Sequence, residues 1–476
     1  MTRALQDALG RPLASAGIAL EDALAARDSG AAITAVVDGI AAGQGVDAVI
    51  DALVADRLER DAGGLGMWVA LLDDARRAAQ DQDELRRALP IAIAAGWLAE
   101  ATPGAAATDA AVESATLDRL RDEAASEVEA ALVGQLYGDV GRLGALAPVV
   151  AAVVELRPAC APEVAARLLA RLAGTLAATP QTDVAAEHVA RVEKIVASRE
   201  PIFAAQQAER AAAFQEARFR AHLTDGEAAA AERAMAKAAA YGVPRALLAG
   251  SLGLAAAERM LRFDAGLDAA VFRRVGWADV AWLLRVVEAV RRLEVRHGAP
   301  GWIDLLLWAT WLVQDFGRYD LAAERRPALP DAAVLAQTWD HGPEIARVVA
   351  AIGDGDGPGA SAALRGYLMM GLPEAPLAAS LVEAAFLDPR AGSGVALAGA
   401  VGVMTAAAGL FAGVGTNPHR ERALLAAVRY LTSARADAPL ATLTLRLLDL
   451  REGGRSARRL EPLPWGSDDL ASAVVA

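Results

Sequence analysis

The chain has one cysteine, Cys160, and two lysines, Lys194 and Lys237. A lone cysteine forms no internal disulfide and cannot by itself build a zinc or iron–sulfur site. Neither lysine follows a glycine-rich loop, so the phosphate-binding pattern G-x-x-x-x-G-K-[ST] is absent. Both lysines sit in charged helical sequence, which speaks against Schiff-base chemistry. No block of positive charge occurs and the net charge is −13, which argues against nucleic acid as a partner. Aromatic residues are only 5% and β-branched runs are short. The N-terminal "MTRALQDALGRPL" has no apolar signal-peptide core, so the expected location is cytoplasmic.

What the chain has is alanine. Hydrophobic residues make up 55%, above the usual globular range, and alanine supplies the excess. Alanine loses little side-chain entropy in a helix. The composition therefore predicts an all-α protein.

Three stretches share one order of features. They start at Ala32, Ala231 and Ala363. Each opens with an amphipathic helix expected to stop at Gly45, Gly242 or Gly371, where glycine suits a left-handed closing residue. A second helix follows and ends near Asp61, Asp264 or Asp388. A third, more apolar helix comes next. In the first two copies it carries "RR", at Arg76–Arg77 and Arg291–Arg292, with Trp97 and Trp311 beyond it. The expected architecture is a helical pseudo-repeat: three related multi-helix units packed into one elongated or bundled core. Its boundaries are a first unit over 1–101, an intervening helical segment over 102–225, a second unit over 226–330, a third over 331–450 and an irregular tail over 451–476. Within the intervening segment, 115–140 reads as one continuous helix. "IGDGDGPGA" (352–360) reads as a flexible loop.

No charged residue occurs between Arg390 and Arg420, a length that would cross a bilayer. This run is the third helix of the third copy. Its counterparts, "WVALLDDARRAA" and "WADVAWLLRVVEAVRRL", carry charges, and its own glycines make it a poor membrane helix. Central burial is the expected reading, with no membrane as partner.

Five histidines are the first candidates for chemistry. Glu294 and His297 form an E-x-x-H pair, as in di-iron bundles, which need two such pairs. A helix-end cap is the plainer role for His297. His341 follows Asp340, a natural N-cap, and His419 follows Asn417–Pro418, which suits a helix start. His188 and His222 belong to charged helical sequence. No metal and no cofactor is expected, although His297, His341 and His419 stay open as ligands. Five of nine tryptophans fall between Trp277 and Trp311. Core packing is their plain reading. The functional one is an apolar small-molecule pocket walled by Trp277, Trp282, Trp308 and Trp311, with Asp315, Arg318 and Tyr319 as its polar end, near Asp304.

The stretch "AAAERMLRFDAGLDAAVFRRVGWADVAWLLRVVEAVRRL" resembles a helical region of bacterial proteins that often carry a Rieske [2Fe–2S] domain. The resemblance covers the repeat core and rests on pattern. It implies a metal-dependent oxidative role, with histidines at the start of the third helix. This chain departs from that: a Rieske cluster takes two Cys and two His, and Gly66, Trp277 and Gly394 stand at the corresponding helix starts. The resulting expectation is a non-catalytic helical-repeat protein that binds a small molecule or serves as a partner subunit of an oxidoreductase. A protein partner or a second copy of the chain would fit that role. The alternative is an oxidoreductase-like, metal-dependent enzyme acting on an apolar small molecule.

Overall fold

A computed structural model describes residues 19–61, 63–80, 86–101, 108–136, 140–179, 214–267, 276–297, 302–326, 340–388 and 395–433, with a few single positions between them. Its regular elements are helices. In chain order they are α1 (Leu20–Ala25), α2 (Ser29–Ala41), α3 (Val46–Arg60), α4 (Met67–Gln80) and α5 (Ala88–Glu100). Next come α6 (Ala110–Asp122), α7 (Ala125–Gly134), α8 (Val140–Leu156) and α9 (Pro162–Ala178). Then follow α10 (Glu216–Asp225), α11 (Ala228–Ala240), α12 (Arg245–Arg262), α13 (Trp277–His297) and α14 (Trp302–Asp315). The last are α15 (His341–Gly353), α16 (Gly357–Met369), α17 (Glu374–Phe386), α18 (Val395–Gly413) and α19 (Glu421–Thr432). The protein is all-α, and the only β pairing among the described residues is an isolated bridge from Phe263 to Asp320.

Local chemistry explains many helix ends. Asp28, Asp109, Asp340 and Asp356 each accept a hydrogen bond from a backbone N–H of the first turn they precede, at 2.9–3.1 Å. Gly242 and Gly371 close their helices with φ of +77° and +66°. The first copy differs from expectation: the left-handed residue is Gly43, at φ +95°, while Gly45 is extended at φ −69° and precedes α3 as its N-cap. A side chain at Gly43 would meet the Cβ–carbonyl clash of the left-handed region. Gly43→Ser is therefore expected to destabilise by about 1–2 kcal/mol, whereas Gly45→Ser supplies a better cap and is neutral or stabilising. Urea unfolding midpoints of the two variants check the assignment, and a reversed order would restore Gly45 as the closing residue.

The stretch 352–360, expected as a flexible loop, is instead the end of α15 and the start of α16 joined by a tight turn over 354–356. Gly355 takes φ +74°, and Asp356 caps α16, whose second residue is Pro358. Asn417 holds a turn instead of capping α19: its Oδ1 accepts from His419 N at 2.9 Å, and α19 begins at Glu421. Two Asp-Ala-Gly loops repeat in detail. Asp61 accepts from Gly63 N and Asp264 from Gly266 N, each at 3.0 Å.

One order of elements recurs four times. A helix of 13 residues (α2, α6, α11, α16) leads to a second helix (α3, α7, α12, α17). A core helix (α4, α8, α13, α18) and a closing helix (α5, α9, α14, α19) follow. In every set the first helix packs against the closing one. The fourth set lies in 102–225, the segment expected to intervene between repeats. Its glycine stop is missing. Glu123 and Ala124, both extended, divide what reads as one helix into α6 and α7. Three further helices, α1, α10 and α15, pack against the first helix of the set that follows them.

The four core helices form a ring in which α4 meets α8, α8 meets α13, α13 meets α18 and α18 meets α4. Among the described residues no helix is long and apolar enough to cross a membrane. The uncharged α18 is enclosed by α4, α12, α13, α17 and α19, and it is buried almost without break from Leu397 to Phe411.

Candidate functional site

The ring encloses charge. On α13, Arg285, Glu288 and Arg292 recur at helical spacing and share one face. On α4, Asp73, Asp74 and Arg77 turn towards the same centre, where all six side chains line one small cavity. The rest of its wall is alanine, Gly402 and Pro148.

The ion pairs are short. Arg285 Nη2 lies 2.7 Å from Asp74 Oδ2, and its Nη1 donates to the Ala398 carbonyl at 3.3 Å. Arg292 Nη1 lies 2.8 Å from Asp73 Oδ2. Arg291 grips Glu288 with two hydrogen bonds of 2.7 Å. A second layer joins Arg292 and Arg296 to Glu155 at 3.9 and 3.4 Å. Asp73, Asp74, Arg285 and Glu288 are each 5% exposed or less. Burying such groups is costly unless each is paired.

The electrostatics follow from that burial. Desolvation pushes the Asp74 carboxyl up from its ordinary value, and Asp73 beside it adds to the push, while Arg285 pulls it down. Burial works against the charge on Arg292, but the carboxylates of Asp73 and Glu155 outweigh it and hold the guanidinium higher than usual.

Glycines on α18 make the approach possible. A Cβ at Gly402 would overlap the Arg285 guanidinium. At Gly409 it would lie 2.6 Å from Arg77 Nη2 and 2.8 Å from Glu288 Oε1, and at Gly413 2.6 Å from Arg291 Nη1. These positions share one helical face, so α18 offers a bare backbone strip to the charged row. Its lack of charge and its glycines are two sides of one packing solution.

Two polar atoms at the centre remain unsatisfied. Asp73 Oδ1 and Arg292 Nη2 are buried and have no hydrogen-bond partner among the described residues. They belong to the ion pair already joined through Asp73 Oδ2 and Arg292 Nη1.

The tryptophans stand elsewhere in the same core. Trp277 packs edge-on against Phe263 at 4.8 Å and Tyr430 at 6.0 Å, with the Arg429 guanidinium 4.9 Å from its ring centre. Trp308 and Trp311 are buried in α14. Asp315 and Arg318 pair across one turn at the end of that helix, and Arg318 lies 5.1 Å over the Tyr319 ring. Trp282 borders the charged centre. Its ring lies 5.2 Å from the Arg285 guanidinium, and its Nε1 donates to the Gly144 carbonyl at 2.6 Å. Pro148, inside α8, has no N–H for that carbonyl four residues earlier, so the indole replaces the missing helix bond.

Asp304, in the first turn of α14, has its carboxyl pushed up to about 6 by burial. The unfolded chain releases this proton near pH 4 and the folded one only near pH 6, so stability falls as pH rises through that window. Asp304→Asn is expected to stabilise by about 1 kcal/mol at pH 8, a value reduced for the partial exposure of the group. At pH 3.5 it should change nothing. Urea melts at the two pH values measure the difference, and equal effects at both would contradict the shift.

Other candidates are quieter. Burial pushes the Cys160 thiol up to about 12, with Asp51 adding to the rise, which removes the thiolate at neutral pH. His341 and His222 are exposed, and burial with Arg220 and Arg422 lowers the pKa of His419. His188 and the side chain of His297 lie outside the described residues. Among the described residues no three His, Cys, Asp or Glu side chains are grouped so as to hold a metal ion.

The central site was written in the sequence as charges inside apolar helices. "LLDDARR" and "LLRVVEAVRR" mark it, and both lie in stretches where charge is expensive. Nothing local tells that Asp74 faces Arg285, 211 positions later.

Comparison with protein-family models, curated proteins and solved structures finds no match to this chain. Nothing there bears on the resemblance to the Rieske-associated helical region.

Proposed function

We propose that the chain is a binding protein that receives one small polar group of a ligand at the charged centre of its four-helix ring. The observation that carries this reading is that Asp73 and Arg292, which line one cavity, hold a buried acceptor, Oδ1, and a buried donor, Nη2, without hydrogen-bond partners among the described residues, Nη2 lying 3.9 Å from Glu155 Oε1. An unsatisfied buried polar group costs about 1–3 kcal/mol, and a ligand group that satisfies it recovers that energy as affinity. A binding role is favoured over turnover by the wall itself. Among the described residues it contains no Ser, Cys, His, Lys or Tyr, and its carboxylates face guanidinium groups. This reading keeps a small-molecule role and moves it from the tryptophan cluster to the ring centre.

Ala406 lines the cavity from α18, and Ala289 lines it from α13. Ala406→Val and Ala289→Val each fill space without removing a charge. Polar fragments that raise the melting temperature of the natural protein should lose that effect in both variants, with far-UV circular dichroism confirming that the helices persist. Fragments that stabilise all three proteins equally would place the site elsewhere and defeat the proposal.

A further inference from the structure

Resting on that reading, we infer that the ligand group is an anion, a carboxylate or a phosphate, and that Arg77 is the residue that receives it. The inference comes from pairing off the charges of the ring and its flank. Asp74 pairs with Arg285, and Asp47 with Arg76. Glu288 is held by Arg291 through both of its oxygens. Asp73, Glu155 and Glu129 alternate with Arg292, Arg296 and Arg157 in one run of contacts of 2.5–3.9 Å. Each of these carboxylates is matched by a guanidinium. Arg77, which lines the same cavity, stands outside the count: among the described residues its side chain makes no ion pair and no hydrogen bond.

The repeat explains the surplus. The shared "RR" puts Arg77 and Arg292 at corresponding positions of α4 and α13, and the same register sets Asp73 against Glu288. Arg292 meets two acids, Asp73 from α4 and Glu155 from α8. By exchange, Arg77 would meet Glu288 from α13 and an acid from α18. Arg291 takes Glu288, and α18 carries no charged residue. Arg77 thus has the position of Arg292 without its partners. The glycines of α18 mark how deep it lies. Gly402, against Arg285, is buried, Gly409, against Arg77, is half-buried, and Gly413, against Arg291, is exposed. Arg77 is itself half-buried, so an ion meets it without the full desolvation that the enclosed pairs demand. A guanidinium offers N–H donors in one plane, a shape that matches two oxygens of a carboxylate or phosphate. A cationic group would be repelled there, and a neutral one would leave the charge unmatched.

Formate and inorganic phosphate are the probes, with acetamide as the neutral comparison. Each is titrated into the full chain at pH 7.5 and constant ionic strength, and binding is read from the broadening of the probe's own NMR signal. Arg77→Gln should weaken anion binding at least about tenfold, the loss of a charge-assisted hydrogen bond. Arg77→Lys should recover part of it. Arg76→Gln, which removes the neighbouring charge committed to Asp47, should leave it unchanged. The melting temperature of Arg77→Gln should stay close to that of the natural protein, because no partner is stranded. The tighter of the two anions tells carboxylate from phosphate. Equal effects of Arg76→Gln and Arg77→Gln, or none from either, mean an adventitious ion only and overturn the inference. Acetamide binding that Ala406→Val blocks, with neither anion bound, overturns the inference and leaves the cavity as a binding site. Anions lost in Arg77→Gln but retained in Ala406→Val keep the anion site and defeat the cavity reading. If no probe binds the natural protein, both fall.

Discussion

Gly402→Ala should lower the stability of the fold by about 3–5 kcal/mol, the range for stranding one partner of a buried ion pair. The new methyl group would occupy the position of the Arg285 guanidinium. Arg285 cannot retreat along a flexible, solvated path, because its side chain is 5% exposed and held by Asp74, the Ala398 carbonyl and the Trp282 ring. Displacing it strands Asp74, itself 6% exposed at the side chain, in a medium that disfavours charge. Against a total stability of about 5–15 kcal/mol this loss is severe. Gly134→Ala is the matched control. It places a methyl group near the end of α7, where nothing lies within 4 Å, and should be neutral or stabilising by up to about 1 kcal/mol. Chemical denaturation of the two variants gives the comparison. Similar midpoints for both would mean that α18 does not seat the arginine as described.

The second large effect is a reversal. Arg285→Met and Asp74→Leu should each cost about 3–5 kcal/mol, because each leaves a buried charge alone. The double variant replaces the pair with apolar side chains and should recover most of that loss, giving a coupling energy above about 2 kcal/mol. Additive losses would show that the two side chains act independently. The single variants should also differ in their response to acid. Burial already raises the Asp74 carboxyl, and removing Arg285 removes the largest influence that lowers it. A carboxyl raised in the folded state favours folding at low pH and opposes it as pH rises through the folded value. Arg285→Met should therefore regain part of its loss on mild acidification, whereas Asp74→Leu has no such proton to take up.

Local features were legible without the structure. Alanine content, aspartate caps, the glycine stops at Gly242 and Gly371 and the two Asp-Ala-Gly loops each act within a few residues, so their outcome is fixed by neighbours in the chain. Gly43 was missed in favour of Gly45 because both suit a helix end, and only the backbone angles tell a left-handed stop from an N-cap. The fourth set of helices was missed because its link, Glu123–Ala124, has no glycine or proline to mark it. The tryptophan cluster was legible through its composition; the structure buries Trp277, Trp282, Trp308 and Trp311 in the core and sets Trp282 against Arg285 of the charged centre.

The sequence by itself determined that this protein is all-α and where many of its helices stop. Only the tertiary structure decided that α4, α8, α13 and α18 close into a ring, that the charges of α4 and α13 meet inside it, and that the glycines of α18 make room for them. Helix formation depends on side chains one turn apart, whereas these pairings join residues more than two hundred positions apart, and their energy comes from shared burial that no single segment contains.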